Sequence, residues 1–197
     1  DTCIYRHVWL NQYNNLNIDN DGLFVYSNIQ NNKATVSVET TIDNQNYSTS
    51  SASLSSYIVN RNGEVVATAK PLSISLNAGE TKVSKQSMLI NNARLWSLED
   101  PYLYRMIVEI KSGGKLIDTK TIRFGARSIE IKPNGVFLNG KHVKLYGVNN
   151  HQDHAGLGSA LPDYLQYYRI GLLKNMGANA YRTSHNAPTP ELLDACD

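Results

Sequence analysis

Side chains that can bind a ligand follow two predicted strands in the second half of the chain. His151, Asp153 and His154 follow the first of these strands, and Arg182 and His185 follow the second. Imidazole and carboxylate groups can coordinate a metal ion, but the spacing of His151, Asp153 and His154 fits no standard metal site. A solvated loop is the other interpretation of this segment, so these residues alone leave its chemistry open.

The elements that must position these side chains alternate between strands and helices. Residues 142–148 and 178–182 are predicted strands, and residues 163–176 between them are a predicted helix that ends at Gly177. A second helix is predicted to start at Thr189-Pro190-Glu191, with threonine as the N-cap and proline in the first turn. This order predicts a parallel βαβ unit.

The predicted helix over residues 163–176 carries one apolar stripe, which is typical of the buried face of an amphipathic helix. The members of the stripe are Leu165, Tyr168, Leu172, Leu173 and Met176.

The first half of the chain has the period-two alternation of β-strands. In residues 34–42, for example, apolar Ala34, Val36, Val38 and Ile42 alternate with polar residues. Eight such runs are separated by turn sequences, and they span residues 23–28, 34–42, 52–59, 64–69, 72–76, 82–90, 103–111 and 116–124. The pattern predicts an antiparallel immunoglobulin-like sandwich that lacks the Cys…Trp…Cys spacing of antibody domains.

Two aromatic residues of this half, Trp96 and Tyr104, could stack on a sugar. Aromatic side chains on a sandwich are more often part of the core, and we interpret both residues in that way.

Composition excludes several broad classes of protein. The chain has 197 residues, a formal charge of +2, 41% hydrophobic residues and 18% charged residues, which suits a folded core. The charge balance gives no reason to expect nucleic acid or an anionic membrane as a partner, and no apolar run could span a bilayer. Cys3 and Cys196 form neither a disulfide framework nor a zinc motif.

The second half is expected to be part of something larger. Parallel strands need both faces covered, and the residues from 125 onward are far fewer than the roughly 250 of a complete (β/α)8 barrel. Residues 5–9 resemble the last strand of an upstream domain, and the chain stops inside the second predicted helix. We therefore expect a fragment, with possible self-association through its exposed strand edges.

Five blocks of sequence occur in the order found in one enzyme family. They are IYRHVWL at residues 4–10, LWSLEDPYLY at 95–104, FGARSIE at 124–130, FLNGK and GVNNHQDH at 137–154, and MGANAYRTSH at 176–185. They resemble glycoside hydrolase family 2, the β-galactosidase and β-glucuronidase family. Asn150, Gln152 and the tripeptide Asn186-Ala187-Pro188 depart from the commonest family pattern, which leaves the sugar specificity open.

The resemblance implies a domain order and a reaction. Residues 1–17 would end an N-terminal jelly-roll sugar-binding domain. Residues 18–124 would form the immunoglobulin-like β-sandwich, and residues 125–197 the N-terminal part of a TIM-barrel catalytic domain with its first two βα units. The parent enzyme would be a retaining, β-galactosidase-like hydrolase of terminal β-glycosidic bonds. Both catalytic glutamates would lie beyond Asp197, so this chain is expected to hold no catalytic residue and to be inactive alone.

The resemblance also implies roles for individual residues. His151 and His185 would hydrogen-bond hydroxyl groups of the sugar, and Arg182 would keep the nucleophilic carboxylate ionised. Asn149 and Asp153 are further candidates that could instead brace the loop. The expected partner is a carbohydrate, with no cofactor, metal, nucleic acid or membrane involved. Enzymes that resemble this one are often exported, so a periplasmic or secreted bacterial location is favoured.

Two alternatives place the function in the sandwich. The sandwich could be a carbohydrate-binding or adhesion module, or it could be a purely structural spacer. The βαβ segment argues against an adhesion module, which has no reason to carry it.

Overall fold

The computed structural model of the chain describes Ile4 and residues 6–197. It divides into two compact units. The sandwich unit consists of Asn11–Ile129 and Leu138–Gly140. The βαβ unit consists of Glu130–Phe137, Lys141–Asp197 and the described residues up to Leu10.

Eight antiparallel strands build the sandwich unit, and each overlaps one of the predicted runs. They are β1 (Leu16–Gln30), β2 (Lys33–Asn44), β3 (Ser50–Val59), β4 (Val65–Thr68), β5 (Leu72–Leu76), β6 (Thr81–Ile90), β7 (Tyr104–Ser112) and β8 (Lys115–Phe124). One sheet has the order β1-β2-β6, and the other has the order β4-β3-β7-β8 with β5 also paired to β3. The predicted all-β sandwich is confirmed.

Strand β1 begins earlier than the alternation predicts, because its pairing with β2 is interrupted. Leu16–Ile18 and Leu23–Gln30 pair in two sections, and the register shifts between Ile18 and Leu23. Gly22 lies in the interruption, where a Cβ atom would come within 2.9 Å of the carbonyl oxygens of Asp19 and Thr41. The tight backbone there breaks the period-two pattern, so the alternation marks only the second section.

The hydrophobic core lies on the inward faces of the two sheets. On β2 the alternating Ala34, Val36, Val38 and Ile42 are completely buried, as the alternation predicts. Tyr104 of β7 is also buried and stacks on Phe124 with ring centroids 5.8 Å apart, which confirms its core role.

Trp96 is half-buried and covers a glycine. A Cβ atom on Gly125 would come within 2.7 Å of the Trp96 side chain, so the close approach requires glycine. The Arg127 guanidinium lies 4.6 Å from the ring centroid of Trp96 on the same surface.

A buried polar side chain, Asn44 at the end of β2, holds the neighbouring loops. Only 1% of Asn44 is exposed, and its side-chain oxygen accepts hydrogen bonds from Asn46 and Ser50. Its side-chain nitrogen donates to three backbone carbonyls, those of Ser48, Leu76 and Asn77, at 2.8–3.1 Å. Because every one of these bonds is local to two loops, Asn44 fixes their conformations relative to the sheet.

The second half contains five short strands and two helices. They are β9 (Ile129–Lys132), β10 (Gly135–Leu138), β11 (Lys141–Val143), β12 (Gly147–Asn150), α1 (Asp163–Asn175), β13 (Ala180–Thr183) and α2 (Pro190–Cys196). Strands β9 to β11 form one small sheet, and β12 pairs with β13 in parallel. The predicted fold class, a sandwich followed by the first two βα units of a barrel, is confirmed. Within the described residues, these parallel strands do not close into a barrel.

The predicted strand over residues 142–148 is wrong, because the chain leaves strand conformation between β11 and β12. In that gap the Tyr146 N–H donates to Asn179 Oδ1 at 2.7 Å, and Asn179 Nδ2 donates to the Lys144 carbonyl at 2.9 Å. The Asn179 side chain therefore bonds to this backbone, together with the N–H groups of Asn179 and Ala180, which both donate to the Tyr146 carbonyl.

The predicted apolar stripe of the first helix is confirmed only in part. The buried residues of α1 are Leu165, Gln166 and Arg169, whereas Tyr168, Leu172 and Met176 of the predicted stripe are 57%, 46% and 77% exposed. Leu165 of the stripe is buried and Leu173 is half-buried, so the described part of the chain covers only part of the stripe.

The ends of the chain add two observations. Residues 6–15 contain no strand, although residues 5–9 suggest one, and Tyr5 lies outside the described residues. Cys196 is an exposed free thiol, whereas Cys3 also lies outside the described residues.

In the described part of the chain, neither helix combines the length and the apolar character needed to cross a bilayer.

Candidate functional site

Two parallel strands bring the predicted site residues to one edge. In the pairing of β12 with β13, Asn149 lies opposite Arg182 and Asn150 lies opposite Thr183. The pairing continues past the ends of the strands, where the Ser184 N–H donates to the Asn150 carbonyl at 3.0 Å. Since parallel strands end at the same edge of a sheet, the residues that follow them are neighbours.

Residues that end one helix and start the next define the segments on either side of β13. The loop after β12 leads to α1, and Gly177, with a φ of 89°, ends the helix before β13. At the start of α2, the Thr189 side chain accepts a hydrogen bond from the Leu192 N–H, and Pro190 occupies the first turn. The predicted helix end at Gly177 and the predicted helix start at Thr189 are both confirmed.

His151 and His185 come directly from this edge and lie side by side. Their ring centroids are 6.2 Å apart, and the rings are inclined at 76° to each other. Both residues are exposed, so their ring nitrogens can reach a ligand above the ends of the strands. An imidazole can donate one hydrogen bond and accept another, which suits the hydroxyl groups of a polyol.

The neighbouring pair is formed by Arg182 and Asn149. The Arg182 guanidinium donates to Asn149 Oδ1 at 3.3 Å across the two strands, and both residues are exposed. The guanidinium has five N–H donors, so it keeps the capacity to bind a carboxylate or a hydroxyl. Four of the five predicted site residues therefore lie together at one edge.

The fifth predicted residue, Asp153, is separate in its contacts. It lies exposed in the loop after β12, and among the described residues no hydrogen bond or ion pair joins it to the other four. One residue further on, His154 forms a backbone bridge with Gly158, which closes a small turn in the same loop. The structure thus supports a loop conformation around Asp153, whose carboxylate forms no hydrogen bond with either histidine.

Arg169 of α1, which the sequence patterns did not single out, bonds to the backbone of the candidate site. The Arg169 guanidinium of α1 donates through Nη2 to the backbone carbonyl of His151 at 2.7 Å. Arg169 is 9% exposed, although arginine is rarely this buried. Its position four residues after Leu165 places it on the same helical face, which was the one available signal.

A second unexpected cluster lies at the two helix starts. His7 Nε2 is 2.8 Å from Asp163 Oδ1. One ligand atom from each of His7, Asp163 and Glu191 lies within 4.8 Å of the other two. The hydrogen bond to Asp163 and the charge of that carboxylate raise the pKa of His7. These three residue types can coordinate a metal, but His7 Nε2 is already hydrogen-bonded to Asp163 and would have to give up that contact to bind one.

Two further acidic residues, Glu130 and Glu191, lie in other elements of the βαβ unit. Glu130 lies in β9 and pairs with Lys132 at 2.8 Å. Glu191 lies in the first turn of α2, where a negative charge complements the helix dipole.

Comparisons with known proteins match this architecture. A sequence model described as glycosyl hydrolases family 2 matches residues 17–127, and another, described as the TIM barrel domain of that family, matches residues 129–197. A β-galactosidase from Bacteroides ovatus is 31% identical over 196 residues, which cover 98% of this chain and 23% of that protein. A β-glucuronidase from Formosa agariphila is 32% identical over 206 residues, which cover 98% of this chain and 21% of that protein.

A solved structure gives the same result at the level of the fold. A glycosyl hydrolase family 2 member from Bacteroides cellulosilyticus superposes with a TM-score of 0.88 at 33% identity, covering 93% of this chain and 24% of that one. The chain spans about a quarter of the length of the relatives it matches. The two family models together cover nearly all of the described residues, and the chain therefore belongs to glycosyl hydrolases family 2.

Proposed function

We propose that this chain is part of a retaining glycoside hydrolase that releases a terminal β-linked sugar, and that it supplies one sector of the sugar-binding pocket. The observation that carries the proposal is the adjacency of His151 and His185 beyond the carboxyl ends of β12 and β13. Active sites of (β/α)8 barrels lie at that end of the strands. Relatives named β-galactosidase and β-glucuronidase support a β-linked sugar as the substrate.

Each residue of the edge has a proposed role. His151 and His185 hydrogen-bond hydroxyl groups of the sugar at the cleavage site. Arg182, which Asn149 orients, lies near the nucleophilic carboxylate and favours its ionised form. Asp153 belongs to the same proposed sector through its loop, where its exposed carboxylate can accept from a sugar hydroxyl.

We also propose that the chain alone does not hydrolyse glycosides. A retaining mechanism needs an acid and a nucleophile whose carboxyl groups are about 5–5.5 Å apart on either side of the bond. Asp163 and Glu191 approach each other closely, but they lie at helix starts together with His7. Incubation of the pure chain with nitrophenyl β-galactoside and β-glucuronide is expected to release no nitrophenol above a buffer blank. Release by the chain would contradict the proposal.

Sugar binding can be tested in the chain without catalysis. Titration with methyl β-galactoside, followed by NMR, is expected to shift the imidazole resonances of His151 and His185 in a saturable manner. Methyl β-glucuronide tests the other sugar class that the relatives' names suggest, and methyl α-mannoside serves as the control. No shift with either β-glycoside, or equal shifts with all three sugars, would contradict a β-glycoside pocket at this edge.

A second candidate function places carbohydrate binding on the sandwich. The exposed rings of Phe24 and Tyr26 on β1 lie 5.3 Å apart, and adjacent aromatic rings can stack on a sugar. Tyr26 already bonds to Glu39 at 3.2 Å and has the Lys85 ammonium 5.0 Å from its ring centroid. A Phe24→Ala variant that loses sugar binding would favour this candidate, whereas unchanged binding would remove it.

Self-association through the βαβ unit remains a proposal as well. Tyr168, Leu172 and Met176 expose an apolar face of α1 that a second copy could cover. Light scattering is expected to show a species larger than the monomer. A monodisperse monomer with protected amides in β12 and β13 would contradict it.

A further inference from the structure

Two residues that each carry an unpartnered buried polar atom line one small cavity of the βαβ unit. In the described part of the chain, three buried side-chain atoms have no hydrogen-bond partner, namely Thr40 Oγ1, Arg169 Nη1 and Ser184 Oγ. Arg169 and Ser184 both line a cavity next to β12, β13 and the two helices, whereas Thr40 belongs to the sandwich core. Buried polar groups nearly always have partners, so two at one place point to a bound species.

The charge of the cavity points to an anion. Arg6 and Arg169 both line it, and none of the described lining residues is a carboxylate. Tyr181 also lines it, and burial raises the pKa of its hydroxyl, so this group stays neutral and can donate. Arg169 Nη2 bonds to a neutral carbonyl oxygen, that of His151, so the buried guanidinium has no opposite charge from that contact.

We propose that this cavity binds one monatomic anion, of the size and charge of chloride, through Arg169 Nη1 and Ser184 Oγ. The space suffices for about one water-sized guest, which favours a monatomic ion over sulfate, phosphate and organic acids. A water molecule could accept the same hydrogen bonds, but it would leave the buried guanidinium charge uncompensated. A halide accepts both hydrogen bonds and also neutralises the charge.

The proposed anion site lies directly beneath the candidate sugar site. Arg169 holds the His151 backbone, and the Ser184 N–H bonds to Asn150 at the end of β12. An anion bound to both residues would link α1 to the ends of both strands. The inference rests on burial and charge, and it stands whether or not the edge binds a sugar.

A crystal of the chain grown in sodium bromide tests the proposal directly. We expect an anomalous bromide peak within hydrogen-bond distance of Arg169 Nη1 and Ser184 Oγ. Density for water alone, without an anomalous signal in the cavity, would overturn the proposal.

An NMR titration gives an independent measurement in solution. Sodium chloride, compared with sodium gluconate at equal ionic strength, is expected to shift the amide resonances of Asn150 and Ser184 in a saturable manner. Identical shifts in both salts would overturn the proposal, because gluconate is too large for the cavity.

Variants separate the anion site from general salt effects. Ser184→Ala is expected to weaken halide binding about three- to tenfold, since one hydrogen bond to the anion is lost. Arg169→Gln should abolish binding, but it could also unfold the unit, so the serine variant decides. Thr40→Val removes the third unpartnered atom, which lies outside the cavity, and should leave halide binding unchanged. Equal halide affinity in Ser184→Ala and the unmodified chain would overturn the assignment.

Discussion

His151 and His185 stand 6.2 Å apart, centroid to centroid, although 33 residues of chain and a complete helix separate them. Their proximity follows from the parallel pairing of β12 with β13, because each histidine follows the end of one of these strands. The hydrogen bond from the Ser184 N–H to the Asn150 carbonyl joins the two segments directly before the histidines. The pair is therefore a product of strand register.

The first prediction concerns the contribution of this pair to sugar binding. His185→Asn is expected to weaken the affinity for methyl β-galactoside about three- to tenfold, the effect of one lost hydrogen bond. An NMR titration measures the affinity. His154→Asn, in the same region but outside the predicted site, is the matched control and should bind normally. If both variants bind the sugar as tightly as the unmodified chain, His185 does not contact it.

The second prediction concerns the strand register itself. A Cβ atom on Gly147 would overlap the backbone carbonyl oxygen of Ala180 on the paired strand. Gly147→Ala is therefore expected to destabilise the β12–β13 pair by about 1–3 kcal/mol, and hydrogen exchange of the Ser184 amide should become faster. Gly171→Ala is the control, since open space surrounds that position in α1 and alanine should be neutral or slightly stabilising. Unchanged exchange in Gly147→Ala would show that the strands tolerate the larger residue.

The third prediction concerns the buried amide of the sandwich. Asn44→Leu preserves the approximate volume but removes the donor for three backbone carbonyls, so we expect a loss of about 2–4 kcal/mol in the free energy of unfolding. Urea denaturation measures the change. Tyr47→Ala, at a fully exposed position nearby, should change the stability by less than about 0.5 kcal/mol. A similar small change in Asn44→Leu would mean that water satisfies the loop carbonyls.

The fourth prediction concerns pH. Because Asp163 raises the pKa of His7 above its ordinary value of 6.5, protonation strengthens their contact in the folded chain. The contribution of this pair to the free energy of unfolding is fully present below pH 6.5. It is lost as the pH rises through the raised pKa of the folded state. An NMR titration of the His7 imidazole should give a midpoint above 6.5.

Two variants test the cause of this shift. Asp163→Asn should return the His7 midpoint toward the ordinary value, since it removes the charge that Asp163 contributes. Glu191→Gln should have a much smaller effect, because the Glu191 charge is the weakest of the contributions to the raised pKa. A midpoint that stays the same in Asp163→Asn would contradict the assigned cause.

The sequence predicted the strands of the sandwich well because the alternation that defines each strand lies within a few consecutive residues. On β2 each second side chain enters the core, so burial follows the period of the strand, and Val36, Val38 and Ile42 show it directly. The same local logic predicted the helix end at Gly177 and the N-cap at Thr189. It failed over residues 142–148, where the chain leaves strand conformation and its backbone bonds to the side chain of Asn179, far along the chain.

The amino-acid sequence alone determined that His151, Arg182 and His185 follow two parallel strands, because alternation, helix caps and turn residues are encoded within short windows. Only the tertiary structure decided that Asn149 pairs with Arg182, that Asp153 forms no hydrogen bond with the other four candidates, and that α1 buries Arg169 beside Leu165 while Tyr168, Leu172 and Met176 stay exposed. These outcomes depend on strand register and helix packing. Both are contacts between residues distant in the chain, and no local period specifies them.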